Sequence, residues 1–138
     1  MKILVVHRQQ STVDHIKLVL RSYNPVVLYA NSGLDGLLTS RIEHFDLVVC
    51  GTDLPVVTGF ELVRTIRNNA INQKTAVIFL AGNDKRDEKS LQLASSLGVK
   101  CILTEDEVEF RLADIIAEHI GVSVDKPWVD YKAQATKD

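Results

Sequence analysis

The sequence predicts an α/β domain of doubly wound type, with one parallel sheet between two layers of helices. Five short apolar runs recur about 20 to 30 residues apart, at residues 3–6, 26–29, 47–50, 76–80 and 99–103. Most are β-branched and continuous rather than alternating, as in strands covered on both faces. Amphipathic helical patterns lie between and after the runs. Strict alternation of strand and helix implies a parallel sheet with helices on both faces.

Each helix is read from its apolar face. The first places Val13, Ile16, Leu20 and Tyr23 together, and the second Leu34, Leu37, Leu38 and Ile42. The third uses Leu62, Val63 and Ile66, the fourth Leu91, Ala94 and Leu97, and the fifth Val108, Leu112, Ile115 and Ile116. Three starts carry a capping-box pattern: Ser11-x-x-Asp14, Ser32-x-x-Asp35 and Thr58-x-x-Glu61. There a hydroxyl accepts from a free backbone N–H while the acid reaches back. Gly98 and Gly121 follow the fourth and fifth helices as stops, because glycine tolerates the left-handed conformation. Lys100 interrupts the last run and marks an edge strand. Right-handed crossovers leave few topologies, of which the flavodoxin-like order 2-1-3-4-5 is a common one.

A chain of 138 residues fits one domain. At that size folding buries roughly 68–70% of the unfolded surface, enough for a core without staples. The boundaries read as a domain over residues 1–121 and a tail or linker over 122–138, where Trp128 and Tyr131 are available for docking. Apolar residues make up 46% and charged residues 25%, near globular averages. A net charge of −2 argues for neither nucleic acid nor an anionic membrane as partner. No run approaches a membrane span and the N-terminus is no secretory signal, so a cytoplasmic protein is expected. Cys50 and Cys101 sit inside apolar runs, with no redox or zinc spacing, and read as reduced structural thiols.

In such sheets, sites form at the carboxyl ends of the strands. Those ends carry His7-Arg8, Gly51-Thr52-Asp53, Ala81-Gly82 and Thr104-Glu105. No nucleophile–base pair, phosphate loop or paired-carboxylate site stands out there, so no enzyme is expected. His7 has no second histidine or cysteine at ligand spacing, and neither a metal nor another cofactor is expected.

The residues now in view carry a family resemblance. Lys2-Ile3-Leu4-Val5-Val6, the stretch from Asp46 through Pro55, and Thr58-Gly59-Phe60-Glu61-Leu62 resemble the first strand, third strand, proline loop and third helix of response-regulator receiver domains. Ala76-Val77-Ile78-Phe79-Leu80-Ala81, Leu97-Gly98-Val99 and Ile102-Leu103-Thr104 resemble the fourth and fifth strand regions. The resemblance runs from about Lys2 to Ile120. It implies a bacterial two-component pathway and a protein partner, either a kinase, an output domain or another signalling protein. Such partners meet receivers on the face made by the fourth helix, fifth strand and fifth helix. Here that face draws on residues 85–92, on Lys100 and Ile102, and on the outer side of residues 106–119. Its charges imply a polar, transient interface, and a homodimer is left open.

The same resemblance implies a phosphoryl-transfer pocket, and this sequence departs from it at every chemical position. The acidic pair that holds magnesium falls on His7 and Arg8, and the acceptor aspartate on Gly51. The hydroxyl position falls on Ala81, the lysine on Glu105, the following proline on Asp106 and the switch aromatic on Ile102. Magnesium needs hard oxygen ligands, and an arginine repels it. Glycine has nothing to phosphorylate, and a glutamate repels a phosphoryl oxygen. An atypical receiver that signals through protein contacts without phosphorylation is therefore expected. One alternative is an anion or small-ligand sensor using the His7/Arg8 pocket, and another is a receiver still phosphorylated at Asp53. The charge inversion also places Arg8 to pair with Glu105 or Asp53 in place of the metal. The competing expectation is that these side chains face solvent, where a pair contributes little.

Overall fold

The computed structural model describes residues 1–81 and 86–119, with side chains through Glu118. The proposed tail at 122–138, with Gly121, Trp128 and Tyr131, lies outside the described residues. Five strands, β1 (Lys2–Val6), β2 (Val26–Ala30), β3 (Leu47–Gly51), β4 (Ala76–Leu80) and β5 (Cys101–Leu103), alternate with α1 (Gln10–Val19), α2 (Gly33–Ile42), α3 (Gly59–Arg67), α4 (Glu88–Ser96) and α5 (Glu105–His119). A 3₁₀ turn, Arg21–Tyr23, follows α1. The strands form one sheet in the order β2-β1-β3-β4-β5. All four pairings are parallel. This is the flavodoxin-like topology expected, with β5 and its exposed neighbour Lys100 at one edge.

Alternate residues of the central strands feed two cores. Ile3, Val5 and Val49 face Val13 and Ile16 of α1 and Val108, Leu112 and Ile116 of α5. Leu4, Val6, Val48, Cys50 and Phe79 face Leu62, Val63 and Ile66 of α3. Both faces being covered explains why the strands read as unbroken apolar runs. Each buried Val, Leu or Ile contributes about 1.5–3 kcal/mol by leaving water. Truncating Leu112 at the centre of α5 would cost about 2–5 kcal/mol through the cavity left behind.

The helix ends follow local chemistry with one exception, at α1. Thr58 and Glu61 form the full reciprocal box at α3, and Ser32 accepts from the Asp35 N–H at 3.1 Å. Ser11 is not a cap: α1 begins earlier, its N-cap is Gln9, and no side chain caps it. Two caps were not anticipated. Asp87 accepts from the Ser90 N–H at the start of α4. At α5, the Glu107 carboxylate accepts from the Thr104 N–H at 2.9 Å. Gly98 takes φ +72° past α4, as a helix stop requires.

The second helix corrects the expected face. Leu34, Leu38 and Ile42 are exposed, while Gly33, Gly36 and Ser40 are buried, with Leu37 packed partly against the core. Gly36 explains the rotation: a Cβ there would come within 2.8 Å of Val6 Cγ2, so only glycine lets α2 lie this close to β1. Leu91 of α4 is also largely exposed, and Ala94 is that helix's buried residue.

At the amino ends of the strands, two polar side chains stitch loops together. Asn72 is fully buried and donates to the carbonyls of Ser40 and Glu43 at 2.6 and 2.7 Å. Its Oδ1 accepts from the Phe45 N–H and the Thr75 hydroxyl, both at 2.9 Å. Arg67 donates to the carbonyls of Leu97, Gln73, Thr75 and Gly98. These contacts rigidify the end opposite the candidate site.

Candidate functional site

The sheet's register carries one residue beyond each strand and delivers the site. His7 N–H donates to Ala30 O, Thr52 N–H to Leu80 O and Ala81 N–H to Leu103 O, at 2.9–3.1 Å. His7, Thr52 and Ala81 therefore start from fixed backbone positions on β1, β3 and β4.

His7 lies at the centre. Its side chain is 16% exposed, and Nδ1 accepts from the Gln9 N–H at 3.1 Å. In the neutral ring this places the proton on Nε2, which lies 3.5 Å from Glu105 Oε1. The same carboxylate oxygen accepts from the Thr12 hydroxyl of α1 at 2.8 Å. The end of β1, the first turn of α1 and the first residue of α5 are thus joined through one carboxylate. Burial lowers the His7 pKa below its usual value, and Arg8 acts in the same direction. Glu105 partly offsets them. His7 is neutral at pH 7 on that balance.

The imidazole sits over Gly51. A Cβ built on Gly51 would lie 3.1 Å from His7 Cδ2 and 3.6 Å from Leu54 Cδ2. The space above the carboxyl end of β3 is filled by the histidine ring.

Arg8 does not reach Glu105. Its guanidinium lies 3.5 Å from Asp53 Oδ2, with the two side chains 59% and 89% exposed. At that exposure the attraction is screened and the pair holds little energy. Of the two expectations for Arg8, the partner Asp53 is found, but in solvent. The acid that closes the site belongs to His7 and Thr12, a link that charge inversion alone did not reveal. Thr12 and Glu105 are 93 positions apart in sequence, and no local signal joins them. Beside the site, Arg86 pairs with Glu107 and ties the start of α4 to α5. The Thr104 N–H holds the Glu107 carboxyl below its usual range, with Arg86 adding to the effect. The Thr104-x-x-Glu107 spacing was a capping signal that could have located this acid.

The residues do not fit magnesium. The side chains at the end of β1 are an imidazole and a guanidinium, and Gly51 has none. Glu105 is turned to Thr12 and His7, and Asp53 to Arg8. Among the described residues no group of three or more His, Cys, Asp or Glu could hold a metal ion. Cys50 is buried and free, and burial pushes its thiol far up. The proposed partner face needs one correction: Ile102 is buried in the core and presents nothing to a partner. Lys85 lies outside the described residues.

The topology and the placing of the candidate site at the strand ends define a doubly wound α/β module. The model of the response regulator receiver domain family matches residues 3–117, and the chain belongs to that family. The cell cycle transcriptional regulator CtrA of Caulobacter vibrioides is 29% identical over 89 residues, which is 64% of this chain and 38% of that protein. The cell cycle response regulator CtrA of Brucella ovis is 26% identical over 82 residues, 59% of this chain and 34% of that one. The chain therefore spans little more than a third of the curated relatives it matches. Among solved structures, a CheY-like receiver domain protein from Methanospirillum hungatei superposes with a TM-score of 0.76 at 20% identity, covering 87% of this chain and 93% of that one. The receiver domain of a sensor histidine kinase from Pseudomonas aeruginosa, solved with magnesium in its active-site cleft, gives 0.74 at 23% identity over 87% and 97%. Both likenesses are of fold.

Proposed function

We propose that this chain is an atypical receiver that transmits a signal by protein contact and takes no phosphoryl group. The observation that carries this reading is the His7 ring over Gly51, held by the Gln9 N–H and facing Glu105. In the family pattern that volume belongs to the acceptor carboxylate and the phosphoryl group it receives. Here a neutral ring occupies it, and a carboxylate that would repel phosphate stands behind. His7, Arg8, Gly51, Asp53, Ala81 and Glu105 are then the remnants of a phosphorylation pocket. The chain needs no metal or other cofactor and has no enzymatic activity of its own.

Partner binding falls to α4, β5 and α5, through Leu91, Gln92, Lys100 and Arg111, all exposed. Residues 1–121 are taken as the module and 122–138 as a tail or linker. No described helix is long and apolar enough to cross a membrane, and action in the cytoplasm is part of the proposal. The readings as an anion sensor or a receiver phosphorylated at Asp53 have less support. Arg8 faces outward, Glu105 occupies the pocket, and Asp53 is almost wholly in solvent.

Incubation with acetyl phosphate and magnesium, read by intact mass, tests this reading. An unchanged mass is expected. An acid-stable, hydroxylamine-labile gain of one phosphoryl group, lost in Asp53→Asn, would overturn it.

A further inference from the structure

The exposed face of α2 has no role in the reading above. Leu34, Leu38 and Ile42 stand at i, i+4 and i+8 on one side of the helix and are 53%, 51% and 77% exposed. A run of this kind on a helix's solvent face is unusual, because polar residues normally occupy it. Two opposite charges flank the run. Asp35 lies in the first turn and Arg41 in the last, both exposed. Among the described residues neither side chain has an ion-pair partner.

These residues are symmetric about Leu38. Leu34 and Ile42 are each four residues from it, and Asp35 and Arg41 are each three. Two antiparallel copies of α2 crossing at Leu38 would therefore place Leu34 against Ile42 of the second copy and Leu38 against Leu38. Asp35 would face Arg41 of the second copy, twice. Two-fold self-complementarity of this kind is what an isologous contact requires. A chemically unrelated partner would give no reason for the acid and the base to sit at equal distances from the same leucine.

We propose that the outer face of α2 is a homodimer contact, its occupant a second copy of this chain in antiparallel register about Leu38. The helix is short, so the contact is weak and concentration-dependent unless the neighbouring edge strand β2 extends it. Val26 of β2 is exposed at that edge, and β2 pairs with β1 alone among the described strands. The contact is separate from α4, β5 and α5, so one face can bind a partner while the other pairs two copies.

Sedimentation equilibrium of the full chain, over a wide concentration range and at low salt, tests the proposal. A monomer–dimer equilibrium is expected. Leu38→Asp, at a half-exposed position, puts two carboxylates on the two-fold axis. It should weaken dimerisation by about tenfold or more, since like charges facing each other cost over 1.4 kcal/mol. Asp35→Arg alone and Arg41→Asp alone should each weaken it, and the double variant should regain most of the affinity. Circular dichroism should match the parent in every variant. A chain that stays monomeric at all concentrations overturns the proposal. So does a dimer that survives Leu38→Asp, or a double variant no better than the single ones.

Discussion

His7 covers Gly51 so closely that a Cβ on the glycine would meet the imidazole at 3.1 Å. The two positions are therefore coupled, and a side chain added at position 51 would meet the ring. Gly51→Asp should lower stability by about 1–3 kcal/mol, from overpacking and from burying a carboxyl without a partner. It should take no phosphoryl group. Adding His7→Ala should recover part of the loss. Urea unfolding of the parent and the two variants measures this. A Gly51→Asp protein as stable as the parent would show that the ring moves aside freely.

The His7 ring should titrate below 6.5, because burial is the largest influence on it. Glu105 opposes that shift, so Glu105→Gln should push the midpoint lower still. The unfolded chain binds the proton more readily than the folded one. Stability is then full above pH 6.5 and falls as pH drops through the folded-state midpoint. NMR of the imidazole against pH gives the midpoint, and unfolding of His7→Asn should lack that part of the acid loss.

The Thr12 hydroxyl is buried and donates to Glu105. Glu105→Ala strands it, at a cost of about 1–3 kcal/mol. Glu105→Gln keeps an acceptor oxygen and should cost less. Thr12→Val combined with Glu105→Ala should lose less than the sum of the two single changes. A thermal double-mutant cycle reads the coupling.

The strands were legible because each central strand packs on both faces, so its apolar run is unbroken. Helices α1, α3 and α5 were legible because large apolar residues mark their buried sides. The α2 face was not, because its buried side is made of Gly33, Gly36 and Ser40 and its leucines face water. Close packing on β1 selected small residues there, and periodicity weighted by size reads the wrong side. The positions of the site residues were also legible, from the strand ends. Their partners were not, since the His7–Glu105–Thr12 link depends on how the loops after β1 and β5 meet.

Asn72 shows the same gap at the other end of the sheet. It sits among polar residues in sequence, yet it is fully buried and makes four hydrogen bonds. Asn72→Leu should cost at least about 3 kcal/mol, because it leaves several backbone groups unsatisfied. Chemical denaturation would show this as a shifted midpoint with an unchanged slope.

A pocket closed by His7 over Gly51 should bind neither magnesium nor a phosphoryl group. The most direct test is the backbone amide NMR spectrum of the full chain, titrated with magnesium and then with beryllofluoride, the phosphoryl mimic. No amide near His7, Gly51 or Ala81 should shift saturably with either. Saturable shifts centred on Arg8, Asp53 and Glu105 would contradict this and make Asp53 the acceptor.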